Sequence, residues 1–179
     1  PHETAMRPLR QLLAFLGSAP AKAPAPAVQD TDPIDYDQLI PLDAERLAEQ
    51  GIAAAYAEVL PQLQRYAASP LAVHEEVDAD TGAYAVRAGP HRFAVYGPGL
   101  DSGEDWARAA VALFALVNAN LEGSPYRFYA LYGDNDLAGV FLTEAQCAQA
   151  RRAIASRSSW PYLPVMQPPH YGFPVDGAA

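Results

Sequence analysis

The chain of 179 residues carries 12 Lys plus Arg against 21 Asp plus Glu, for a formal net charge of −9, and half of its residues are apolar. That suits one globular domain with a sizeable core plus some extra chain, and the summed acidic field argues against nucleic acid as a partner. A lone cysteine, Cys147, excludes an internal disulfide framework and every multi-thiolate zinc site, and it suits a reducing compartment, so a cytoplasmic location is expected.

Residues 1–5 precede Met6, which reads as a native start, so they are expected to be a foreign remnant. In residues 6–17, Leu9, Leu12, Leu13 and Leu16 recur at helical spacing and predict a short amphipathic helix able to dock on the domain or on a partner. Its apolar run is too short for a secretion signal, and nowhere does a run reach the roughly 18 residues of a membrane span. The Ala-Pro repeats of residues 18–33 predict a semi-rigid linker, and the folded domain is expected to occupy 34–179.

Asp43 is placed to cap a helix over 44–50, with Gly51 ending it. A second helix is expected over 52–67 from Tyr56, Val59, Leu60, Leu63 and Tyr66, kinked or split by Pro61. The period then shortens to two, and strands are expected at 71–77, 83–87 and 91–96, a meander turning at Gly82 and at Gly89-Pro90. Next comes a helix from Trp106 to Leu121, apolar on nearly every side, with Ser102 expected as its cap and Asp105 completing the box. Arg108, Ala112, Ala115 and Ala119 form its only mild face. Strands at 126–132 and 138–142 flank the turn Gly133-Asp134-Asn135-Asp136, and Thr143 caps a last helix to about Ser156. These elements predict an α+β domain: a largely antiparallel sheet of about five strands, a buried central helix and flanking helices.

The tail has prolines at 161, 164, 168, 169 and 174 among Trp160, Tyr162, Met166, Tyr171 and Phe173. Proline forbids a helix or a central strand there, and the aromatics are too apolar for a solvated end. It is expected either as a strap completing the core or as an aromatic ridge facing a partner.

Catalytic patterns mostly fail. Cys147 lies inside a helix with nothing to lower its pKa, so it reads as a buried inert thiol. There is no Gly-x-Ser-x-Gly elbow and no pair of helix-borne histidines. The glycines at 97, 99 and 103 lack the spacing of a phosphate loop, and Glu104 and Asp105 sit where an anion would bind. Asp134-Asn135-Asp136 with Gly139 superficially matches a calcium loop, but Ala138 and Ala145 occupy positions that need oxygen ligands, so a turn is the plainer reading. Neither a metal nor a cofactor is expected.

The run from Leu121 to Leu137 (LEGSPYRFYALYGDNDL), the following Gly139 to Thr143, Tyr96-Gly97-Pro98-Gly99 and Trp160-Pro161-Tyr162 resemble an uncharacterised bacterial family known only as a domain of unknown function. The resemblance spans roughly residues 34–173. It implies a small cytoplasmic bacterial protein and assigns no residue a role.

Two functions are compatible with these features. The first is a non-enzymatic protein-interaction module, for instance an immunity or antitoxin-type inhibitor of a basic partner, with Tyr132, Asp134, Asn135, Asp136, Trp160 and Tyr162 as partner-binding residues. The alternative is a small-molecule binder or hydrolase whose site is assembled from His74, Asp134, Asp136 and His170.

Overall fold

A helix with apolar side chains all round has no face for water, and the chain wraps the rest of the domain about it. In the computed structural model, which describes residues 33–166, this helix is α3, Asp105–Ala119, with Ala107 through Phe114, Leu116 and Val117 all buried. The expected 6–17 helix, most of the linker and the tail beyond Met166, with His170, lie outside the described residues. The domain is α+β with antiparallel pairing as expected, but its strands form two separate three-stranded sheets and not the single sheet of about five strands.

The first sheet joins β1 (Ile40–Pro41), β6 (Ala138–Thr143) and β5 (Tyr126–Leu131) in that order. The two-residue β1 is too short for a sequence period to reveal. β5 and β6 pair Phe128 with Phe141 and Tyr129 with Val140, so alternate side chains feed opposite faces. Phe128 and Phe141 join the main core with α3, their rings 4.7 Å apart, while Phe114 stacks on Phe128 at 4.8 Å. Tyr129, Leu131, Val140 and Leu142 form a second cluster with Cys147 and Ala150 of α4, Glu144–Ala153. Both faces are covered, which is why β6 reads as an almost unbroken apolar run. Gly139 belongs to this packing. A Cβ there would stand 2.0 Å from Cζ of Phe128, so its glycine seats a ring.

The second sheet is the expected meander, β2 (Val73–Val77), β3 (Tyr84–Ala88) and β4 (His91–Tyr96). Tyr84, Val86 and Val95 turn into the core against α3 and α2, Ile52–Leu63. The opposite side carries His74, Glu76, Arg87, Arg92 and Ala94, with Glu76 accepting from Arg92 (2.7 Å) and Arg87 (3.1 Å). Those two guanidinium groups, Arg92 first, hold the Glu76 carboxyl below its ordinary range.

Several helix ends differ from expectation for identifiable reasons. In α1, Ala44–Gln50, Asp43 caps as expected by accepting from the Arg46 N–H at 3.1 Å. Pro61 is carried inside α2, but the helix stops two residues later and tightens into turns through Tyr66. Gly51, at φ 93°, cannot cap α2 with a side chain, so the β2 residue Glu75 does it: Oε1 accepts from the Ala53 N–H (3.0 Å) and the Tyr84 hydroxyl (2.7 Å).

Ser102 does not cap α3. Residues Ser102–Glu104 form a short 3-10 turn whose cap is Asp101, and Asp105 turns instead to Arg108. Arg108 itself is the other correction. It is 4% exposed, not part of a mild face, and its guanidinium donates to the carbonyls of Val95 (2.6 Å) and Asp101 and to Asp105. A buried charge needs such saturation. α4 has the expected Thr143 cap as a reciprocal box with Gln146, but ends at Ala153 because Ile154 turns inward on the second cluster.

Candidate functional site

The β5–β6 hairpin is where the backbone departs most from its preferred conformations. Among the described residues, the non-glycine residues at positive φ are Asp43 (58°), Tyr132 (59°) and Asp134 (54°), and all three meet here. Leu42 and Asp43 donate their N–H groups to the Leu137 carbonyl at 2.8 and 3.2 Å, which ties the start of α1 to the end of the hairpin turn. Left-handed backbone costs a non-glycine residue on the order of 1 kcal/mol or more, so surrounding structure must hold these residues in place.

That structure is visible. Asp136 N–H donates to the Gly133 carbonyl and Leu137 N–H to that of Asp134, closing a 3-10 turn over Asp134–Asp136. The Tyr132 carbonyl accepts from the Tyr162 hydroxyl at 2.6 Å, and the Tyr132 ring rests on the second cluster. The hairpin is thus a fixed projection with the side chains of Asp134, Asn135 and Asp136 exposed at its tip.

A shallow depression lies on each side of it. One, of about 470 Å³, is lined by Leu39, Pro41, Tyr132, Asp136 and Ala138 and is mostly apolar. The other, of about 260 Å³, is lined by Ala44, Glu45, Trp106, Asp134 and Asn135. Carboxylates therefore stand beside aromatic and aliphatic surface on both flanks, an arrangement that can hold an extended basic and apolar segment but supplies no nucleophile or general base in an enclosed space.

Of the residues expected to bind a partner, Tyr132, Asp134, Asn135 and Asp136 come together here. Tyr162 supports them from within: it is 6% exposed and exchanges two backbone hydrogen bonds with Ala130, at 2.8 and 2.9 Å. The described part of the tail is thus the strap of the first alternative, and Tyr162 is a core residue and not a surface anchor. Burial raises its hydroxyl pKa well above the usual tyrosine value. Arg151 pins the strap by donating twice to the Pro161 carbonyl, at 3.0 and 2.8 Å. Trp160 is half-buried, its indole N–H donating to the Ile154 carbonyl at 2.8 Å and its ring centre lying 5.4 Å from the Arg157 guanidinium.

The alternative site does not assemble among the described residues. His74 is exposed on β2 of the second sheet, Asp134 and Asp136 tip a hairpin of the first, and no group of three or more His, Cys, Asp or Glu suited to a metal occurs among the described residues. Cys147 is buried, and burial pushes its thiol pKa up; the neighbouring Tyr129 is raised by burial to about 12. An inert thiol is what that environment makes. Among the described residues no helix is long and apolar enough to cross a membrane.

Sequence reasoning missed Asp43 and Trp106 as members of this surface. Asp43 had a complete explanation as a helix cap, and Trp106 as part of an apolar helix; only tertiary contact brings them to the hairpin. No family model matches the chain, and comparison with curated proteins and with solved structures returns no match.

Proposed function

We propose that the protein is a non-enzymatic interaction module whose β5–β6 hairpin docks a basic partner, in the manner of an immunity or antitoxin-type inhibitor acting in a bacterial cytoplasm. The observation that carries this reading is the convergence of Asp43, Tyr132 and Asp134 in left-handed backbone around a tip of Asp134, Asn135 and Asp136. Strain of this kind persists where a fixed shape is useful. The flanking depressions give the tip the aromatic and aliphatic surface that supplies contact energy, while the chain's net charge of −9 speeds encounter with a positive partner. Kinship with the bacterial family of unknown function is part of the same proposal and rests on the 121–137 run that builds this hairpin.

The test is site-specific photo-crosslinking in cells with the reactive group at residue 135 and, as a control, at residue 94 on the second sheet. A basic protein should be captured from 135 only, and its association with the purified chain should slow with added salt and in the double variant Asp134→Asn/Asp136→Asn, by roughly threefold or more. An association rate indifferent to both changes would remove the proposal.

A further inference from the structure

Much of the strand edge in this domain is closed by dedicated groups. On the outer edge of β5, Tyr126 N–H donates to Ser124 Oγ and its carbonyl accepts from Arg127, while the Asn118 amide bonds both the N–H and the carbonyl of Phe128 at 2.9 Å. Ala130 is paired by Tyr162, whose hydroxyl takes the Tyr132 carbonyl. The opposite edge, β1, is two residues long and ends in Pro41. On β4 the Val95 carbonyl accepts from Arg108, while the outward groups of Arg92 and Ala94 have no partner among the described residues.

β2 is different. Asp78 N–H donates to the Ala83 carbonyl at 2.9 Å, and the register sets Glu76 opposite Ala85 and His74 opposite Arg87. Backbone groups alternate along an extended strand, so those of 74, 76 and 78 face β3 and those of Val73, Glu75 and Val77 face outward. Just before the strand the same edge is closed, because Leu71 N–H donates to Asn120 and the Leu71 carbonyl accepts from the Tyr56 hydroxyl. From Val73 to Val77 the outward N–H and carbonyl groups have no partner among the described residues, and Val77 is 69% exposed. Such a row is a template for another strand.

We propose that this edge is a strand-addition site for an extended segment of a partner protein, with a basic residue across from Glu75 and apolar residues across from Val73 and Val77. Charge chooses the occupant. Glu75 Oε1 is held by Ala53 and Tyr84, whereas Oε2 takes no bond among the described residues. Directly opposed residues of antiparallel strands lie about 4.5–5.5 Å apart at Cβ, within reach of a Lys or Arg on the added strand. The same carboxylate discriminates against a second copy of this chain, since the centred antiparallel register would set Glu75 against Glu75. Glu76, already shared by Arg87 and Arg92 on the other side, makes no demand on the partner. This surface is distinct from the hairpin, and it stands or falls without it.

The experiment is amide hydrogen exchange and two-dimensional NMR on the full chain, with a blocked synthetic heptapeptide of alternating threonine and valine carrying a central lysine as probe. In the free protein the amides of Val73, Glu75 and Val77 should exchange much faster than those of His74 and Glu76. With the peptide at millimolar concentration, the three outward amides should gain about tenfold protection. A peptide with glutamate for lysine should bind several-fold more weakly, and one N-methylated on the amides that face β2 should not bind. Val77→Pro removes only an outward N–H and should abolish binding while leaving the β2–β3 ladder; the N-methylated peptide gives the same answer if that variant unfolds.

No protection of the three amides at millimolar peptide would overturn the proposal. So would equal binding of the lysine and glutamate peptides. Protection that instead rises with protein concentration alone would identify a second copy as the occupant and overturn it equally.

Discussion

The two sheets have the same number of strands and opposite relations to solvent. The first is covered on both faces, by α3 and by α4, and its edges are closed by Asn118, Tyr162 and a two-residue strand. The second packs one face on α3 and α2, turns a charged face outward, and leaves β2 with an unpaired edge. The difference shows how a chain divides its work. One sheet is built to be stable enough to hold a strained hairpin still, and the other keeps backbone hydrogen-bonding groups available.

The largest expected effect strikes what the two sheets share. Leu113 and Leu116 of α3 are fully buried in the main core, so Leu113→Ala or Leu116→Ala should destabilise by about 2–5 kcal/mol through the cavity left behind. Urea midpoints should fall with unchanged slope; a shift confined to one sheet's amides in hydrogen exchange would mean that the sheets unfold separately.

Asn118→Ala acts on the closed edge of the first sheet. It removes the amide that matches the backbone of Phe128 and leaves a buried N–H unpaired, for an expected loss of about 1–3 kcal/mol. Greater aggregation of this variant on warming would sharpen the contrast, because it would turn β5 into an open edge beside an apolar face.

Acid should act more gently and on the second sheet. Glu76 has its pKa depressed on folding, chiefly by the Arg92 hydrogen bond, so its contribution to stability is fully present above the ordinary carboxylate value of 4.5 and is lost as pH falls through the lower folded value. Asp78 is lowered likewise, through bonds from Thr81 and Asp80. Chemical denaturation between pH 6 and pH 3, as rough bounds, should show stability falling below about pH 4.5, and Glu76→Gln should remove part of that slope.

The smallest effect belongs to the hairpin tip. Asp134→Asn with Asp136→Asn should change stability by no more than about 0.5 kcal/mol, since both side chains are exposed and the turn is closed by backbone bonds. A thermal midpoint lowered by many degrees would show that the carboxylates hold the turn together, and the comparison of a rigid first sheet with a permissive second would lose its clearest element.

Most of this architecture was legible in the chain because local signals agreed with the final contacts. Asp43, Thr143, Gly51 and the period-two strands each specify an element with neighbours a few residues away, and the apolar helix at 105–119 could only be central. Two of the misreadings share a cause: Arg108 and Tyr162 were judged by their immediate neighbours, yet their roles were decided by Val95 and by Ala130, which folding brings to them. Ser102 was a local error, since the adjacent Asp101 takes the capping role.

By itself, then, the sequence determined the class of fold, the order of its longer elements and the acidic balance, all of which depend on composition and short-range spacing. Only the tertiary structure decided that the strands part into two sheets, that Tyr162 is core, that Asp43 and Trp106 join Asp134 at one surface, and which strand edges stay open. Hydrophobic periodicity states which side chains leave water, but it does not say which distant backbone group will meet them. That choice is made when α3 is enclosed and each remaining polar group either finds a partner or is left facing solvent.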